Sequence, residues 1–328
     1  MGHAMNLTHS IHRVARIAGT LALAQSWLLL GSCGGAPLPH ETVVSADAKP
    51  PPADAGKIAI SLLPAKVYAM ARLDGIANHA AGVRITRMAT VDWGLESVGL
   101  DPLTDFSAAI VASSGLSNQD SYVVVARTNP PTERRKSAVD TMIARSQPTG
   151  RWLDGTSVPT ARVLLRSEEQ VVVLAEPDLL VVMSGNLVGK ADAFAGPLVL
   201  PPHEGPPTIA VRIDDPSNTL RDLGAFPIQI PTTLSWVVLG VDLRPDGGAD
   251  IQIESQSASP EQANADAATL TQAVDDATSV KVSIVRVRMF RPVVFRAEGD
   301  RVKTNVTLSA AEVDMLLSFA EAQWPRQR

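Results

Sequence analysis

The chain has 328 residues, a formal net charge of −5 at pH 7, and 45% hydrophobic residues of which few are aromatic. That length is enough for one large domain or two small ones, with Val, Ile, Leu and Ala filling the core. The acidic balance argues against nucleic acid as a partner. The single cysteine, Cys33, excludes a disulfide framework.

The N-terminal stretch through Cys33 reads as an export signal. Arg13 and Arg16, with no Asp or Glu before Cys33, form a positively charged leader. Residues 17–30 are then almost wholly apolar, which suits a signal peptide and falls short of the ~20 residues a spanning helix needs. The small residues Gly31 and Ser32 come next, directly before Cys33. Leu30-Gly31-Ser32-Cys33 resembles the lipobox of bacterial lipoproteins. That resemblance implies a signal peptide over residues 1–32, cleavage before Cys33, and a diacylglycerol on the Cys33 sulfur that holds the chain to a lipid bilayer. Gly34 rather than Asp follows Cys33, which in that family goes with an outer-membrane anchor facing the periplasm. Counted from Cys33, 27 Lys+Arg stand against 34 Asp+Glu, so the mature charge is −7. Residues 33–56 are rich in Pro, Gly and Ala, without apolar periodicity, and predict a disordered tether.

Beyond the tether the chain reads as a duplication. Ala71-Arg72-Leu73-Asp74 and Val211-Arg212-Ile213-Asp214 each close an apolar strand, at an offset of 140. From there an offset of 130 matches Phe106 with Trp236, Asn129-Pro130 with Ser259-Pro260, and residues 163–168 with residues 293–298. The expected fold class is α+β, as two tandem copies of a strand-helix-strand-strand-helix-strand-strand-helix unit. The first copy spans residues 57–198 and the second residues 208–328, joined by a Pro-rich stretch at 199–207. The sheets are expected to be antiparallel and covered by helices on one face. The doubled pattern is similar to that of uncharacterised duplicated lipoproteins of Gram-negative envelopes, a likeness that adds no function.

Local chemistry supports several elements. Asp215-Pro216 and Ser259-Pro260-Glu261-Gln262 open helices with a cap and a proline at the first helical position. Ser309-Ala310-Ala311-Glu312 is a capping box before Val313, Leu316, Leu317, Ala320 and Trp324, which recur at helical spacing. Val302, Val306 and Leu308 alternate with Lys303, Asn305 and Thr307, the period of a strand with one wet face. Gly299-Asp300 and Ser167-Glu168-Glu169 read as hairpin turns. Residues 279–290 fit helix and strand equally.

No reactive constellation emerges. Past Cys33 the histidines are His40, His79 and His203, without a pair at metal spacing, so no metal or other cofactor is expected. Gly185-Asn186-Leu187-Val188-Gly189-Lys190 has three residues between its glycines where a phosphate loop needs four, and Ala191 replaces the required Ser or Thr. The candidate charged residues are Arg72, Asp74, Arg212 and Asp214. They stand two apart on a strand and so share a face. They form either a polar site present in both copies or, more simply, a strand-end ion pair with an aspartate that caps the next helix. The expected function is a non-catalytic envelope lipoprotein whose doubled domain binds or scaffolds another protein. A carrier or sensor of an apolar ligand such as a lipid is the alternative, and a carboxylate-only hydrolase ranks last.

Overall fold

The computed structural model describes residues 52–90, 95–117, 120–165, 168–201, 205–221, 229–282, 285–288 and 291–323. Cys33, His40, Trp93, His203 and Trp324 lie outside them, as do the expected signal peptide and most of the tether. The described residues begin slightly before the expected domain boundary at residue 57. Strand β1 (Ala53–Asp54) leads into helix α1 (Ala55–Ser61), where the Asp54 carboxylate caps the helix by accepting the N–H of Gly56 at 2.9 Å and of Lys57.

The first half continues with β2 (Val67–Arg72), α2 (Leu73–Ala77), α3 (Gly82–Thr90), a 3-10 turn (Glu96–Val98), β3 (Phe106–Ser113) and β4 (Tyr122–Thr128). Next come α4 (Thr132–Arg145), β5 (Arg151–Trp152), β6 (Thr160–Leu165), β7 (Glu168–Ala175), β8 (Leu179–Ser184), a 3-10 segment (Gly185–Phe194) and β9 (Leu198–Val199). The second half has β10 (Ile209–Asp214), α5 (Pro216–Arg221), β11 (Trp236–Leu243), β12 (Ala249–Gln256) and α6 (Pro260–Ala277). It ends with β13 (Ser279–Val282), β14 (Val285–Arg288), β15 (Arg296–Glu298), β16 (Arg301–Leu308) and α7 (Ala310–Gln323). Residues 279–290, ambiguous by pattern, thus contain a β-hairpin.

The fold is mixed α+β around one large antiparallel sheet of twelve strands, ordered β15-β16-β12-β11-β10-β2-β3-β4-β8-β7-β6-β5. Outward from the central pair, one side reads β2, β3, β4, β8, β7 and the other β10, β11, β12, β16, β15. β1 and β9 form a small parallel pair, and β13 and β14 a separate antiparallel one.

Burial explains why the two sides read differently in sequence. In β4, Val123 and Val125 pack on one face and Val124 and Ala126 on the other; β7 and β8 do the same. Strands buried on both faces need continuous apolar runs such as Val171-Val172-Val173-Leu174. One layer is α4, whose Ala138, Val139 and Met142 cover Val124, Val172 and Val182. The other is α1 with the 3-10 segment, whose Ala59 and Phe194 cover Val123, Val181 and Met183. In the second half, Ile251 and Ile253 of β12, with Val211 and Leu239, pack against Ala263, Ala267 and Leu270 of α6 and Val313 and Leu317 of α7. Each fully buried Leu or Ile contributes roughly 1.5–3 kcal/mol.

Three expectations change. Helices cover both faces of the first half, not one. β5 to β8 follow α4 and β13 to β16 follow α6, where each half was expected to have a single pair about its hairpin turn; beyond β6–β7 and β15–β16, the additional strands are β5 and β8 in the first half and β13 and β14 in the second. Residues 163–165 lie in β6, but residues 293–295, matched to them by offset, precede β15 and belong to no strand; β15 itself lies two strands from β12 where β6 lies three from β4. A slip of one whole hairpin strand preserves the period-2 pattern, so alternation alone cannot detect it.

Candidate functional site

The second half of the sheet has a face on which no described helix packs. It is built by strict alternation. On β12, Ala249, Ile251 and Ile253 point to the core, so Asp250, Gln252, Glu254 and Gln256 point away. Pairing lines up their neighbours in rows across the strands. One row runs Arg212, Val238, Glu254, Lys303, Arg296; the next runs Asp214, Trp236, Gln256, Arg301, Glu298. A third runs Asp242, Asp250, Thr307. Arg212, Gln252, Arg301, Asn305 and Thr307 are exposed.

Trp236, the first residue of β11, is the aromatic in the end row of this face. The Arg212 guanidinium lies over its ring at 5.0 Å and that of Arg301 at 5.9 Å. Arg212 Nε also donates to Asp214 at 2.9 Å, and Arg301 donates to the buried carboxylate of Glu254. Lys303 donates to Glu298 at 2.7 Å, which raises the Lys303 pKa. Thr307 Oγ1 donates to Asp250 at 2.7 Å. Positive and negative groups therefore neutralise one another within the face, leaving a flat, mixed-charge surface without a single-sign field.

The expected charged pairs behave differently from each other. Arg212 and Asp214 form the expected ion pair, on this face. Arg72 lies 3.9 Å from Asp242, and Asp74 instead accepts the N–H of Gly75 in the first turn of α2. Asp215, rather than Asp214, organises the start of α5, accepting Asn218 Nδ2 at 2.8 and 2.9 Å. Beside Arg212, Tyr68 on β2 has its phenol pKa raised, first by burial and then by Asp214.

Other motifs resolve as structure. Gly185–Phe194 buries Leu187, Ala191 and Phe194, so the residue in place of a phosphate-loop hydroxyl is a core alanine. Glu168 and Glu169 are the first residues of β7, not a turn, and Glu169 lies 3.4 Å from Arg162. Gly299-Asp300 is the hairpin turn expected. His79 is buried, with Nδ1 accepting the Ala81 N–H and Nε2 donating to the Gly248 carbonyl, each at 3.1 Å. Arg244 folds over the same turn onto Asp246, Asp250 and the Leu308 carbonyl. A side chain at Gly248 would collide with that guanidinium and with the Leu308 carbonyl. Among the described residues, no group of three or more His, Cys, Asp or Glu gathers to hold a metal ion. No described helix is long and apolar enough to cross a membrane.

Pattern reading missed the face as a whole. Its signal was present in the contrast between β12, which alternates Ile with Asp and Gln, and β4, which does not alternate.

No family model matches the chain, and no curated protein matches it. Among solved structures, crystal form I of TP0453 superposes with a TM-score of 0.46 and 15% identity, covering 83% of this chain and 99% of that one. Crystal form III of TP0453 gives a TM-score of 0.42 and 15% identity, over 78% of this chain and 94% of that one. Likeness at that level carries no function from one chain to the other.

Proposed function

We propose that this protein is a lipid-anchored envelope lipoprotein whose domain is a non-catalytic docking scaffold for another protein. The observation that carries the scaffold role is the asymmetry of the sheet. In the first half both faces are buried by the chain's own helices, whereas in the second half one face presents Arg212, Trp236, Gln252, Gln256, Asn305 and Thr307 outward. A self-neutralised polar face with a tryptophan in its end row suits a protein surface of mixed charge, since neither a polyanion nor an apolar ligand finds a complement there. The lipid anchor is supported by the lipobox-like Leu30-Gly31-Ser32-Cys33 and the apolar run before it. Attachment at the outer membrane, facing the periplasm, belongs to the same proposal.

The two halves are, on this proposal, copies of one unit. In support, Arg72 faces Ala108 and Arg212 faces Val238, each two positions after Phe106 and Trp236, which begin β3 and β11.

The anchor is tested by labelling cells with a radioactive fatty acid. The wild-type protein should take up label and Cys33→Ser should not. Inhibiting lipoprotein signal peptidase should leave a precursor that still carries the signal peptide, Met1 to Ser32. Normal processing of Cys33→Ser would refute the anchor.

A further inference from the structure

The outer edge of β16 offers the scaffold a specific mode of docking. The N–H of Ser257 donates to the Asp300 carbonyl at 2.9 Å, which sets the phase of the ladder between β12 and β16. Val302, Thr304, Val306 and Leu308 therefore bond inward to β12, and the backbone groups of Arg301, Lys303, Asn305 and Thr307 point to the outer edge. β15 occupies that edge only at its start, pairing Glu298 with Arg301 and Arg296 with Lys303. Among the described residues no strand stands opposite Asn305 and Thr307. If β15 were prolonged, Pro292 would face Thr307, and proline has no N–H to give.

The place is filled elsewhere in the molecule. β8 lies beside β4 as β16 lies beside β12, and β7 pairs with β8 along its whole length, from Gln170 opposite Ser184 to Ala175 opposite Leu179. β15 is three residues long and β7 is eight.

We propose that an extended segment of a partner protein adds as a strand beside Asn305 and Thr307, completing the sheet at this edge. Main-chain bonds supply the affinity, and alternate side chains meet polar Asn305 and Thr307 on one face and Val306 on the other. A second copy of this chain fits less well. It would bring its own β15, which stands beside Arg301 and Lys303, against the same edge. The inference rests on the docking role above and names how the partner binds.

The test uses the full-length protein in detergent, with an acetylated, amidated peptide of alternating Thr and Val as probe and amide hydrogen exchange read by NMR. In the free protein the Asn305 and Thr307 amides should exchange much faster than those of Thr304 and Val306. Saturating peptide should slow them about tenfold or more. Asn305→Pro should abolish the effect with the melting temperature held, since edge positions tolerate proline. Asn305→Thr, which keeps the N–H, should respond like the wild type. Equal protection of all four amides in the free protein, or no slowing by peptide, would overturn strand addition. If the peptide has no effect while a cross-linker at Gln252 still captures a discrete partner, strand addition fails and the docking role stands.

Discussion

Met70 faces Ala210 at the centre of the sheet, and the register on either side of that pair is symmetric under exchange of the two strands. Ala69 faces Val211 and Ala71 faces Ile209, so each residue of β2 meets the counterpart of its own mirror position on β10. The consequence is that Val211 points to the helix-covered face and its neighbour Arg212 to the open one.

These two residues should therefore respond in opposite ways. Val211→Asp places an unpaired carboxylate in the core and should lower stability by several kcal/mol or prevent folding. Arg212→Ala removes a partly exposed ion pair and a stacking contact and should cost about 1 kcal/mol or less. Urea unfolding followed by circular dichroism measures both.

Arg135 is buried beneath the β7–β8 turn. Its guanidinium donates to the carbonyls of Pro177 at 2.6 Å, Leu179 at 3.2 Å and Ala175 at 3.4 Å, and to Thr132 Oγ1. Burial lowers its pKa, but not enough to remove the charge from an arginine near neutral pH. Arg135→Met should cost roughly 2–4 kcal/mol, because several carbonyls lose their donor at once. Arg135→Lys should recover only part of that, since an ammonium lacks the planar fork. Thermal and urea unfolding of the two variants beside the wild type measure the difference.

His79 joins the α2–α3 turn to the β11–β12 turn. His79→Ala should cost about 1–3 kcal/mol by taking the imidazole acceptor from the Ala81 N–H and one of two donors from the Gly248 carbonyl, which keeps the Arg244 N–H. Docking at the open face should survive, since His79 lies outside it. Loss of docking in a folded His79→Ala protein would revive a chemical role for this histidine.

Two carboxylates set part of the acid limb. A hydrogen bond from Trp152 Nε1, with Lys136 beside it, holds the Asp140 pKa below the ordinary aspartate value. The Ser309 hydroxyl and N–H do the same for Glu312 in its capping box. A carboxylate depressed in the folded state adds stability above its unfolded pKa of about 4, and that stability is lost as pH falls through the folded value. Asp140→Asn with Glu312→Gln should therefore be slightly less stable than wild type at pH 7, and the gap should close below about pH 4. Asp140 is about half exposed, so its share is under about 1 kcal/mol.

Much of the local structure was legible because each device is short-range. The caps at Ser259 and Ser309, the turn at Gly299-Asp300 and the strand starts at Phe106 and Trp236 depend on residues within a few positions of one another. The join between halves was not legible, because the pairing of β2 with β10 spans the whole first half of the chain and leaves no local mark. The helix cover on the second face of the first half came from Ala55–Ser61, whose apolar residues follow so closely on the proline-rich tether that the boundary was drawn inside it. Asp74 and Asp214 stood at equal spacing from their arginines, yet only Asp214 pairs, since Asp242 from a distant strand competes for Arg72.

The central claim is that the open face of the second half docks a protein. A photo-activated cross-linking residue placed at Gln252 in intact cell envelopes tests it most directly, with the same residue at exposed Glu133 on α4 as reference. One discrete protein adduct from Gln252, absent from Glu133 and retained after purification in detergent, is the predicted result. No adduct from Gln252, together with lipid co-purifying stoichiometrically in native mass spectrometry, would contradict docking and establish the protein as a carrier of an apolar ligand.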